Sequence, residues 1–258
     1  MNRYKAVSNF FLFPILFIYV FIAACAHESL QHQEIGTKIT QSFKIGDKIF
    51  YLPEGEWTVI ATGDYTSHLL TSFKPGPKFN WVYLADIRGK RLNKAVLAYA
   101  NIQASRASDW SDQPCERTDF YYKNDMKRSL KDQFCLSVAH NFPYLMKAKG
   151  QYNEIGQRLM KDQISVPTTV MAAMFTRYFL SDFIFITYYF NPEVNGITPS
   201  KGDTWETNDW NKKFISRHPE KQRYAEQMVK WGNQMVSLIL YGFNREGQEP
   251  QNIPNPPF

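Results

Sequence analysis

The chain is 258 residues long, 44% hydrophobic and 21% charged, so it has the apolar content for a buried core and is not a disordered tail. Three cysteines, 13 glycines and 14 prolines exclude collagen-like and disulfide-dense miniprotein classes. The formal net charge of +6 is spread among interspersed acids with no basic block, so nucleic acid is not an expected partner.

Arg3 and Lys5 precede an apolar run from Phe10 to Ile22, the layout of a signal peptide. At about 13 residues, and interrupted by Pro14, the run falls short of the roughly 20 needed to span a bilayer. It closes on Ile22-Ala23-Ala24-Cys25-Ala26, which resembles the lipobox of bacterial lipoproteins. That resemblance implies a signal peptide over residues 1–24, cleavage before Cys25, and acyl chains of the palmitate class on Cys25. With Ala26 next, it also implies an outer-membrane location facing the periplasm. The alternative is ordinary cleavage after Ala26, because Ala24-Cys25-Ala26 also fits a small-x-small site, giving a soluble periplasmic or secreted protein. Loss of residues 1–24 removes two basic groups and no acid, so the charge falls from +6 to +4.

Once Cys25 is lipidated or removed, Cys115 and Cys135 remain as an even pair in an oxidising compartment, and a disulfide between them is expected. Closing a loop of about 20 residues, it would contribute about 3 kcal/mol by constraining the unfolded chain.

Residues 25–38 read as the anchor cysteine and a polar spacer, residues 39–247 as one globular domain, and residues 248–258 as a proline-rich extended tail. The body opens with hairpin grammar, Ile39 to Ile45, a turn at Gly46-Asp47, then Lys48 to Leu52 stopped by Pro53. Glu56 to Gly63 continues the β pattern, Pro75-Gly76-Pro77 marks a loop, and Phe79 to Ile87 and Lys94 to Ile102 are further strands. Cys115 to Tyr122 and Phe134 to Phe142 are apolar segments separated by a charged connection from Lys123 to Asp132.

Residues 151–162 have helical composition. Val170 to Phe179 and Phe183 to Phe190 form the sheet's central hairpin, apolar on both faces, with Arg177 and Asp182 near exposed ends. Asp209 is placed to cap a short helix through Ile215, and Pro219 to start a longer one. In the longer helix Tyr224, Met228, Trp231, Met235 and Leu238 form an apolar stripe, and Gly242 is its expected stop.

Strands first and helices later predict an α+β fold: an antiparallel, strongly twisted sheet with a C-terminal amphipathic helix packed on it. The element order and the Leu-Pro-x-Gly-x-Trp stretch at residues 52–57 are similar to small exported lipoproteins of the PsbP-like sort, a likeness of shape alone. Through Pro114-Cys115-Glu116-Arg117-Thr118-Asp119 and Cys135-Leu136-Ser137-Val138-Ala139-His140 the body also resembles a group of proteobacterial exported proteins, which implies export and adds no catalytic residue.

No nucleophile elbow, zinc-binding helix, phosphate loop, EF-hand or Cys-x-x-Cys is present, so no cofactor and no metal are expected. His27 and His32 fall in the spacer, His218 at a helix start, and His68 with Asp64 and Ser67 makes only a sequence-adjacent triad. The weak catalytic candidates are His140 with Glu116, Arg117 and Asp119 beside the disulfide, a set that suits a dispersed hydrolase site if it converges. Trp205, Glu206, Asp209 and Trp210 are the candidate ligand surface, two rings for stacking and acids for hydrogen bonds, with core anchoring and helix capping as the plainer alternative. The functional expectation is a non-enzymatic envelope lipoprotein held to the membrane by its lipid and binding an envelope protein or polymer. The alternative is a cell-envelope hydrolase.

Overall fold

The computed structural model describes residues 34–68, 75–102, 115–129, 131–141, 151–202, 204–245, 250 and 252–258. The expected signal peptide over residues 1–24, Cys25, His27 and His32 lie outside them.

Among the described residues the strands are β1 (Lys38–Ile39), β2 (Ser42–Ile45), β3 (Lys48–Tyr51), β4 (Trp57–His68), β5 (Pro75–Arg88), β6 (Arg91–Asn101), β7 (Tyr122–Ser129), β8 (Asp132–Asn141), β9 (Val170–Phe179) and β10 (Asp182–Phe190). The described residues also form two α-helices, α1 (Gln151–Lys161) and α2 (Pro219–Asn244). Eight strands form one antiparallel sheet in the order β1-β4-β5-β6-β10-β9-β8-β7, and β2 and β3 make a separate hairpin. This is the expected α+β architecture, with the long helix packed against the sheet.

Period-2 alternation sorts side chains between two cores. Val82, Leu84, Val96, Ala98, Leu136, Val138, Ala173, Phe175, Ile186 and Tyr188 face α2, whose buried stripe is Tyr224, Met228, Trp231, Met235 and Leu238. On the opposite face Trp81, Tyr83, Ala95 and Leu97 cluster with Ile155 and Leu159 of α1. Burial on both faces explains why the β9–β10 hairpin carries apolar residues at consecutive positions.

Several local expectations change. Residues 39–45 are not one strand, because Gln41 takes φ 62° and turns the chain between β1 and β2. Pro75 and Pro77 lie inside β5, at an end where β6 no longer pairs and a missing N–H breaks no ladder on that side. The charged connection from Lys123 is β7, the edge strand, whose charges suit a sheet margin open to water. Arg177 is 3% exposed, not near an exposed end. Its guanidinium donates to the Asp132 carboxylate and to the carbonyls of Gln133 (3.1 Å) and Tyr178 (2.6 Å).

The end of α2 also differs. The helix runs past Gly242 to Asn244, and Arg245 supplies the left-handed cap at φ 57°. Gly242 instead lets the helix touch β3, since a Cβ there would overlap the Ile49 carbonyl oxygen. Gly242→Ala sets backbone against backbone, and a loss of about 1–3 kcal/mol is expected in urea unfolding, typical of overpacking.

Candidate functional site

The site begins with the alternation of β8. Cys135, Ser137 and Ala139 point to one face, and Phe134, Leu136, Val138 and His140 point to the face that carries α2. His140 sits one residue from the strand's end, paired with Met171 of β9, and is 3% exposed.

The loop at residues 201–211 is folded over this imidazole by a polar network. Asn208 Nδ2 donates to Gly202 O (3.2 Å) and Thr169 Oγ1 (3.1 Å), while its Oδ1 accepts Trp210 N at 2.9 Å. Asp209 Oδ2 accepts Lys201 N at 3.1 Å and pairs with Lys221 Nζ at 2.6 Å. Gly202 takes φ +86° and packs so close to the Thr207 carbonyl that a Cβ would overlap it. The network sets Trp205 flat on His140, with ring centroids 4.2 Å apart and planes 25° apart.

Trp205 O lies 3.2 Å from His140 Nε2 and also accepts Asn211 Nδ2 at 2.9 Å. A carbonyl can only accept, so Nε2 carries the proton and the imidazole is held as that tautomer. Burial pushes the His140 pKa down to about 4, although the Trp205 carbonyl and the charges of Asp119, Asp209 and Glu206 oppose the shift.

The disulfide brings the second half of the site. Cys115 and Cys135 are joined with Cα atoms 5.8 Å apart, tying the segment from 115 to the back of β8. Two residues on, the Arg117 guanidinium lies 5.3 Å from the Trp205 ring and 4.7 Å from Phe120. It also donates to Asp119 through Nε (3.1 Å) and Nη2 (2.6 Å), a bidentate pair that holds the Asp119 carboxyl below the usual range. Lys212 Nζ fastens the segment by donating to Thr118 O. Phe120, Arg117, Trp205 and His140 therefore form a run of contacts in which the Arg117 guanidinium meets two aromatic rings and Trp205 covers the neutral imidazole, with Arg117, Asp119 and Glu206 at its outer rim.

The two candidate sets thus meet in part. His140, Arg117, Asp119 and Trp205 come together, while Glu116 is exposed and makes no ion pair or hydrogen bond with them among the described residues. Trp210 offers no ring to a ligand from solvent. It is 1% exposed, edge-on to Tyr224 with centroids 5.8 Å apart. Asp209 caps no helix, because its carboxylate is taken by Lys221 and Lys201 N, and the short 3-10 helix from Ile215 to Arg217 has Phe214 at its N-cap. His218 precedes α2 without a side-chain cap bond, and the side chains of Ser67 and His68 lie outside the described residues.

Cys115, Asp125 and Cys135 place potential metal-ligand atoms within 4.8 Å of one another, but both sulfurs are spent in the disulfide and neither is a thiolate. A feature the sequence reading missed lies at the other end of the sheet. Asp86, 1% exposed, accepts Asn93 Nδ2 at 2.7 Å and lies 3.4 Å from Arg88 Nη2 and 4.0 Å from Lys94 Nζ. Lys94 donates to Glu54 O, and burial lowers its pKa. Nothing local in the sequence marks this group, since Asp86 reads as an ordinary strand-end acid.

Comparisons with protein-family models, with curated proteins and with solved structures find no match to this chain. No helix among the described residues is long and apolar enough to cross a membrane.

Proposed function

We propose that the chain is an exported lipoprotein of the bacterial cell envelope whose folded body binds a partner protein or envelope polymer without catalysing a reaction. The observation that carries the reading is Cys25 at the close of the apolar run, in Ile22-Ala23-Ala24-Cys25-Ala26. Several acyl chains, each worth about 0.8 kcal/mol per buried methylene, anchor a protein firmly where one chain would not. The Cys115–Cys135 disulfide is the form these cysteines take in an oxidising compartment such as the periplasm, which supports export.

The chemistry of the body favours binding over hydrolysis. A general base works best with a pKa near the working pH, and His140, at about 4 and with its Nε2 proton on the Trp205 carbonyl, is a poor one. The exposed Arg117 and Glu206 beside Asp119 instead suit charged hydrogen bonding to a sugar or peptide.

Intact mass of protein extracted from bacterial membranes tests the anchor. A mature chain starting at Cys25 with added acyl mass, absent in Cys25→Ala, is the expected result. An unmodified chain starting at His27 would make a freely diffusing protein the better account.

A further inference from the structure

The proline-rich residues 252–258 are docked on the body. Trp231 Nε1 donates to Pro254 O at 2.8 Å. Four residues on, the Phe258 ring stacks on Tyr224 (centroids 4.1 Å, planes 25°) and meets Phe190 edge-on at 5.3 Å. Between them, Asn255 Oδ1 accepts Glu54 N at 2.9 Å, and its Nδ2 donates to Glu54 Oε2 at 3.0 Å.

The receiving surface is a cluster of packed rings. Trp231 stands edge-on to Tyr188 and Phe190 at 5.2 and 5.0 Å, and Tyr224 lies two turns before it on α2. An aromatic-lined groove that gives an indole N–H to a carbonyl of an extended proline-rich chain is a recurring peptide-recognition mode, because proline has already lost most of the entropy that binding would cost.

Two open clefts flank the segment. A cleft of about 450 Å³ lies on one side, lined by Gln41, Tyr51, Pro53 and Ile253 among others, and one of about 480 Å³ lies on the other, between Glu54, Glu56, Arg88, Lys94 and Pro256. Asn252, Asn255 and Pro257 are exposed.

We propose that the Phe190–Tyr224–Trp231 groove is a docking site for extended proline-rich peptides of partner proteins, and that residues 252–258 hold it as a built-in competitor. The fitting ligand carries an aromatic side chain four residues after the carbonyl that Trp231 takes, as Phe258 follows Pro254. Larger or charged side chains at intervening positions would enter the flanking clefts, where Arg88 and Lys94 face Glu54 and Glu56. The groove shares no residue with the Arg117–Trp205 rim, so the inference stands apart from the envelope reading.

The test uses the full chain and a fluorescein-labelled peptide of residues 252–258, read by fluorescence anisotropy. In an Asn255→Ala/Phe258→Ala variant the strap is weakened and the peptide is expected to bind at least about tenfold more tightly than to the unaltered chain, since a competitor in cis lowers apparent affinity by the fraction of open groove. Adding Trp231→Phe, which keeps a ring and removes the N–H, is expected to weaken that binding about fivefold or more. Near-ultraviolet circular dichroism checks that each variant is folded. If the double variant does not fold, Asn255→Ala alone carries the comparison, because that residue is exposed. A folded variant that binds no peptide, or binds it no better than the unaltered chain does, overturns the proposal.

Discussion

Asp209→Ala is expected to destabilise the fold by about 3–5 kcal/mol in urea or guanidinium unfolding, because it strands a buried charge. Lys221 is 1% exposed, its Nζ lies 2.6 Å from Asp209 Oδ2, and the Trp210 ring is 5.4 Å away. With the carboxylate gone, the ammonium keeps an aromatic neighbour but loses its only ion-pair partner among the described residues. The Lys201 N–H loses its acceptor at the same time, so the loop that holds Trp205 on His140 loosens. Asp209→Ala/Lys221→Met, which removes both charges and keeps apolar volume, is expected to recover most of the loss, as replacement of a whole buried pair is often neutral. A single-variant loss below about 1 kcal/mol would mean that the pair behaves as a surface salt bridge.

Acid is expected to cost the fold about 3 kcal/mol between pH 7 and pH 4 through His140 alone. Burial depresses its folded pKa to about 4 from 6.5, so across that interval the unfolded chain binds the proton and the folded chain does not. Stability therefore rises with pH, is fully present above 6.5, and is lost as pH falls toward 4. Asp119, whose carboxyl is held low by Arg117, adds a loss of the same sign only below the ordinary carboxylate range. The effect is read from urea midpoints across the pH series, with His140→Gln as the control. The variant is expected to flatten the slope between pH 6.5 and 4. An unchanged slope would place the acid sensitivity elsewhere.

The legibility of the fold follows the length of each pattern. The β9–β10 hairpin and the α2 stripe are long, regular and apolar, and period alone placed them. In sequence β7 looks like a connection because edge strands carry the charges that otherwise signal loops. Pro75 and Pro77 look like a loop because nothing in the sequence announces that β6 stops short of them. Arg177 looked peripheral from its position near a strand end, but its guanidinium is drawn inward by Asp132 and two carbonyls.

The site was legible in halves. Cysteine arithmetic put Arg117 and Asp119 beside β8, and composition flagged Trp205, but their meeting depends on a loop reaching back 65 residues to His140. Neither partner carries a local sign of it. Trp205 and Trp210 look alike in sequence, and only packing separates the ring that lies on His140 from the ring sunk beside Tyr224. The strap shows the same limit, since four prolines predict an extended segment and say nothing of where it docks.

The central claim about the body is that His140 is a locked structural imidazole beneath the proposed binding surface, and not an acid–base group. A proton NMR titration of the His140 ring, assigned with His140→Gln, tests it most directly. The account predicts a midpoint near 4 and no change in the ring signals between about pH 5.5 and 8. A midpoint at or above the ordinary 6.5 would contradict it, mark an imidazole poised for proton transfer beside Asp119 and Arg117, and give the hydrolase reading the stronger case.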